Sequence, residues 1–159
     1  MPEFSSCVID TSVIIKALFS PSRKNAGVTY SRELKTHHSC IALLAALDDH
    51  GIEVILPRCG LIEIAAVSIR LSNSHNSKDI CNEVENSYTL VPEDRVYETA
   101  MTIALDEGCP GFDTYFLALA ELKSVPLFTD DAGMFRICQR RSIAAWLIRD
   151  LDPESLFTR

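Results

Sequence analysis

Four acidic sites stand at junctions where an apolar run gives way to a helical pattern. "CVIDTSVII" ends such a run at Asp10 and follows it with Thr11 and Ser12. "RCGLIEIAAVSI" sets Glu63 among Leu61, Ile62, Ile64 and Ala65, "GCPGFDTYFLALAEL" puts Asp113 at the head of an apolar segment, and "VPLFTDDAGMF" places Thr129, Asp130 and Asp131 after an apolar run. Each has a plain structural use. Asp or Ser at a helix start accepts a bond from free backbone N–H groups and suits the helix dipole, and a Glu bordering an apolar stripe needs no task at all. Jointly they say more, because carboxylates gathered in one place repel and take up protons unless a cation neutralises them. Oxygen ligands without His or Cys select Mg2+ or Mn2+. Such an ion activates water and stabilises charge on a phosphodiester oxygen, so the implied chemistry is phosphodiester hydrolysis.

Bringing these acids together is a task for the elements between them. Short apolar runs predict strands at "CVID" (7–10), "EVILP" (53–57), "YTLVP" (88–92), "VPLFT" (125–129) and "SIAAWLI" (142–148). Helical periodicity fills 12–19, 39–50, 58–72, 76–86, 94–107, 112–123 and 132–140. Alternating strands and helices are the signature of a parallel sheet, with Gly51 and Gly108 as helix stops and Pro57 and Pro92 closing strands. In such a sheet the loops at the carboxyl ends of the strands converge on one edge, where ligands bind. All four acidic sites follow strands or open helices, so one edge is expected to collect them.

Two segments are polar and lack a pattern: "SPSRKNAGVTYSRELKTHH" (20–38), with Arg23, Lys24, Arg32 and Lys35 against the single acid Glu33, and "SNSHNSK". Both read as solvated loops. With Arg136, Arg140 and Arg141, the four basic residues of the first are candidate RNA phosphate contacts. The 159 residues suffice for one domain, 1–159, with its own core. The net charge of −7 argues against indiscriminate wrapping of nucleic acid, although a cation-binding acid cluster makes a bare sequence look more acidic than the working protein. Apolar runs are too short to span a membrane and the first residues carry an acid, so a cytoplasmic protein is expected. The six cysteines form no C-x-x-C pair and read as free thiols.

The stretches "VIDTSVII", "LIEIA", "FDTYFLALA" and "LFTDD", in this order, resemble the PIN-domain family of nucleases from residue 7 to about 148. The resemblance implies an α/β fold, a three-layer α/β/α sandwich around a central parallel five-stranded sheet of order 3-2-1-4-5, with the polar basic insertion near 20–38 added to it. It also implies a Mg2+- or Mn2+-dependent endoribonuclease cutting single-stranded RNA to leave 5'-phosphate and 3'-hydroxyl ends. Many small members look like the toxin half of VapBC toxin–antitoxin pairs, so a homodimer and an antitoxin partner are implied as well. Position by position, Asp10, Glu63 and Asp113 match the core acids, and Thr129 and Asp131 match a T-x-D element, with Asp130 at the position between. Ser12 matches a hydroxyl position that holds water or phosphate, and is equally a helix cap.

Other classes fit less well. An RNA-processing nuclease that is no toxin, or a catalytically idle PIN module, shares every motif above. A phosphotransfer domain of the haloacid-dehalogenase kind expects D-x-D where Thr11 and Ser12 follow Asp10, and a receiver domain expects paired early acids. A metal-independent ribonuclease would rest on His37 and His38, a pair set in a polar segment.

Overall fold

Strands covered on both faces need no polar alternation, and the two central ones have none. Cys7, Val8, Ile9, Leu127 and Phe128 are all fully buried. In the computed structural model, which describes residues 4–22, 27–72 and 74–157, β1 (Ser6–Ile9) lies mid-sheet between β2 (Glu53–Pro57) and β4 (Leu127–Thr129). The edges are β3 (Thr89–Val91) and β5 (Ala145–Leu147), giving the order β3-β2-β1-β4-β5. Every pairing is parallel, with Cys7 opposite Val54 and Val8 opposite Leu127.

Parallel neighbours require crossovers, and helices supply them. α1 (Thr11–Leu18) and α2 (Val28–Asp49) join β1 to β2, while α3 (Cys59–Leu71) and α4 (Ser74–Ser87) join β2 to β3. α5 (Tyr97–Glu107) and α6 (Gly111–Lys123) then carry the chain across to β4, and α7 (Ala132–Arg140) leads to β5. The architecture is the α/β sandwich expected, with its parallel sheet in the order 3-2-1-4-5. Because the chain builds outward from β1 to β3 and then returns to β4, the order reverses between β1 and β4. Asp10 follows the first of these strands and Thr129 ends the second.

Three local expectations are corrected. Residues 28–38, read as loop, are the first turns of α2. The buried face of that helix begins with Thr36 and Cys40 before Leu43 and Leu47, so its early turns offer no apolar stripe to read. Arg23 and Lys24 lie outside the described residues. "SNSHNSK" is no linker either, since α4 starts at Ser74 and buries Ser77. The outer strands are shorter than their apolar runs. β5 starts only after Ser142, which takes a left-handed φ of 58°, and stops where a 3-10 turn begins at Ile148. Gly51 and Gly108 do adopt the left-handed backbone, φ 64° and 61°, that ends the helices before them.

Candidate active site

Asp10 sits at the N-cap position of α1 with extended backbone, yet its side chain makes no capping bond. The carboxylate is instead held by neighbouring hydroxyls. Its Oδ2 accepts from Ser12 Oγ at 2.6 Å and from Thr129 Oγ1 at 2.8 Å, and the whole residue is 6% exposed. Ser12 is therefore a donor to Asp10, inside the helix it was equally read as capping. Thr11 donates its one hydroxyl proton to Glu63 Oε2 at 2.6 Å, its distance to Asp10 Oδ1 being 3.5 Å.

Glu63 reaches Thr11 because α3 packs almost backbone to side chain over α1 and α6. A Cβ at Gly60 would stand 3.0 Å from Phe116 Cζ and 3.1 Å from Thr11 Cγ2. A side chain there would push Phe116 and Thr11 aside, so glycine at this position favours Glu63, one turn further on, facing the start of α1.

Thr129 links the second strand to the first. Fully buried, its hydroxyl donates to Asp10 and accepts from the Asp131 N–H at 2.9 Å. Asp131 caps α7, its Oδ1 accepting from Met134 N at 2.8 Å. The two-residue spacing of Thr129 and Asp131 thus has a physical cause, one hydroxyl bonding both the Asp10 carboxylate and the Asp131 backbone N–H. Asp130, between them, stands apart from this group. Its buried carboxylate pairs with Lys16 Nζ and with Arg149 Nε at 3.0 Å, while its carbonyl accepts from Arg149 Nη2 at 2.5 Å. Successive side chains of extended backbone point to opposite sides, and these two acids divide accordingly.

Asp113 opens α6, where capping and the dipole favour a charged acid. The opposite effect wins. Burial, and then the charges of Asp10, Asp131 and Glu63, push its carboxyl up to about 6. Acids from three other segments therefore act on Asp113. Among the described residues, no three His, Cys, Asp or Glu side chains are drawn close enough to clasp an ion as they stand. The donor set is nevertheless one a hard divalent cation suits, being all oxygen and short of positive charge.

The other candidates scatter. Arg140 pairs with Glu107 at 2.6 Å, and Arg141 with Asp106 at 3.0 Å and Glu121 at 2.8 Å, so both guanidinium groups are already offset by acids. Arg136 lies on α7 one turn beyond Asp131. Arg32 and Lys35 lie on α2, as do His37 and His38, with ring centres 5.5 Å apart. His37 holds the Lys16 carbonyl through Nδ1 at 2.5 Å. All six cysteines are free thiols. Sequence reasoning missed Thr11, Gly60, Lys16 and Arg149. Thr11 was visible inside "VIDTS", whereas nothing local marks Arg149 as the partner of Asp130.

No family model matches the sequence, and no curated protein matches it. Solved structures do match in shape. FitAcB from Neisseria gonorrhoeae superposes with a TM-score of 0.57 at 18% identity, covering 91% of this chain and 99% of that one. The fold is PIN-like. At that identity the likeness speaks for architecture, and it extends over nearly the whole chain.

Proposed function

We propose that this PIN-like chain is a Mg2+- or Mn2+-dependent endoribonuclease that hydrolyses single-stranded RNA. The observation carrying the proposal is Asp113, whose carboxyl is raised by burial and by Asp10, Asp131 and Glu63 together. A domain with no use for a cation there gains nothing from burying Asp113 against the charges of three other acids at a topological switch point.

Asp10, Glu63, Asp113 and Asp131 would hold the metal, whose waters complete the shell around acids that need not all touch it. When bound, such an ion supplies an activated water and charge stabilisation at the scissile phosphate. The chain's own residues prepare for this. Ser12 and Thr129 fix Asp10 in one orientation, Thr11 does the same for Glu63, and the capping bond of Asp131 leaves its second oxygen for the site. Asp113 must lose its proton before it can serve.

The Asp10→Asn substitution keeps the shape and removes a charge. Cleavage of a single-stranded RNA in Mn2+ should fall at least 100-fold, with the circular dichroism spectrum unchanged; undiminished cleavage would falsify the assignment. Chelation should stop the parent protein, which also separates this reading from a histidine ribonuclease built on His37 and His38.

A toxin role, with a homodimer and an antitoxin whose peptide reaches the acids, belongs to the same proposal and is supported by the motif resemblance. A neighbouring reading frame for a small DNA-binding protein, able to relieve growth arrest on co-expression, is the expected finding. Among the described residues no helix is long and apolar enough to cross a membrane.

A further inference from the structure

One face of α1 leads away from the acids. Ser12, bonded to Asp10, is followed on that face by Ile15 and Lys16, at helical spacings of three and four, and Phe19 follows just past the helix end in extended backbone. These three residues wall a cavity of about 520 Å³ that Arg32 and His37 of α2 and Arg149 close from the other sides. The volume falls within the roughly 300–1,000 Å³ usual for small-ligand clefts. From Ser12 to its end at Leu18 the helix rises about 9 Å, a distance a short stretch of single strand covers.

The lining suits a nucleotide. Lys16, Arg32 and Arg149 face Glu33 and Asp130, three cations against two acids, in a chain whose net charge is −7. Asp130 is buried between Lys16 and Arg149, whose side chains stay 43% and 37% exposed, while Arg32 and Glu33 both reach solvent, so the accessible rim carries three cations and one acid. Phe19 contributes an aromatic ring and Ile15 an apolar surface, against which any base can stack. His37 is fixed by its Nδ1–H on the Lys16 carbonyl, which in the neutral ring leaves Nε2 as an acceptor.

We infer that this cavity is a subsite for one nucleotide of single-stranded RNA flanking the cleaved bond, the base against Phe19 and Ile15 and the phosphate toward Arg32 and Lys16. The inference rests on the nuclease reading for its direction along the strand, but binding tests it separately. With the Asp10→Asn protein and a labelled single-stranded oligoribonucleotide in fluorescence anisotropy, Phe19→Ala should weaken affinity about tenfold. Arg32→Ala should weaken it too and reduce the salt slope by about 1. Phe19→Leu keeps the packing, and its loss of affinity at an unchanged melting temperature excludes misfolding. In the Asp10 background, Phe19→Ala should raise KM and leave kcat near the parent value.

Unchanged RNA affinity in folded Phe19→Ala and Arg32→Ala proteins overturns the subsite and leaves the nuclease reading in place. Absence of Mn2+-dependent cleavage in the parent, with RNA binding still dependent on Phe19, supports the subsite and fails the nuclease.

Discussion

Thr129 carries two bonds on one hydroxyl, donating to Asp10 and accepting from the Asp131 backbone, inside a fully buried site. Valine has the same shape and neither bond. Thr129→Val should therefore cost about 1–3 kcal/mol of stability, the usual penalty for stranded buried polar groups. Cleavage should fall more than tenfold as Asp10 loses its orientation, and Thr129→Ser should restore both. A merely volumetric role would reverse that ranking, which thermal melts and initial rates on the two variants decide. At this scale the sequence was partly readable. The T-x-D spacing is local, so Thr129 and Asp131 could be named together. Which of the adjacent acids joins the cluster depends on Lys16 and Arg149, which lie far away in the chain and become neighbours only through the fold.

Elements do the positioning, and two contacts between them can be tested. Asp130 ties α1, the end of β4 and the 3-10 turn Ile148–Asp150 together through Lys16 and Arg149. Asp130→Asn should lower stability by about 1–3 kcal/mol, below the cost of breaking a wholly buried pair, because both cations reach water. Metal-dependent cleavage should survive at a substantial fraction of the parent rate, in contrast to Asp131→Asn; equal loss in both variants would put Asp130 in the site. Gly60→Ala inserts a methyl group at 3.0 Å from Phe116 and 3.1 Å from Thr11. Overpacking costs about 1–3 kcal/mol against a gain of about 1 from helix propensity, so a small net destabilisation is expected. The sharper result is a loss of cleavage through displacement of Glu63, measured as rate at saturating Mn2+. The central strands were legible as elements because burial on both faces makes them uninterrupted apolar runs. The start of α2 was not, since Thr36 and Cys40 hold its buried positions, and Thr36 satisfies its hydroxyl on the Arg32 carbonyl at 3.0 Å.

Across the whole molecule the acid cluster sets a pH dependence. The Asp113 carboxyl lies at about 6 in the fold against an ordinary 3.8, so the folded chain binds the extra proton. Its contribution to stability is complete below about 3.8 and is lost as pH rises through about 6. A cation reverses the trend by favouring the charged form, and its binding expels the proton. Mn2+ should accordingly raise the melting temperature more at pH 7 than at pH 5, and cleavage should climb between those values. Scanning calorimetry with and without Mn2+ checks the first; a metal-induced shift independent of pH would detach Asp113 from the ion. The sheet order was available in advance only through resemblance, because periodicity identifies strands and leaves their neighbours open. Its agreement with the fold is what lets acids so far apart in sequence share one edge.

That dispersal has a bearing on synthesis. A ribosome releases Asp10 first, then Glu63, Asp113 and Asp131 in turn, with Arg149, the clamp on the neighbouring acid, after them. No emerging fragment that stops short of β4 holds the full set of acids. The proposed activity therefore cannot begin until the chain through Asp131 has emerged and folded, and the nascent polypeptide is harmless up to that point.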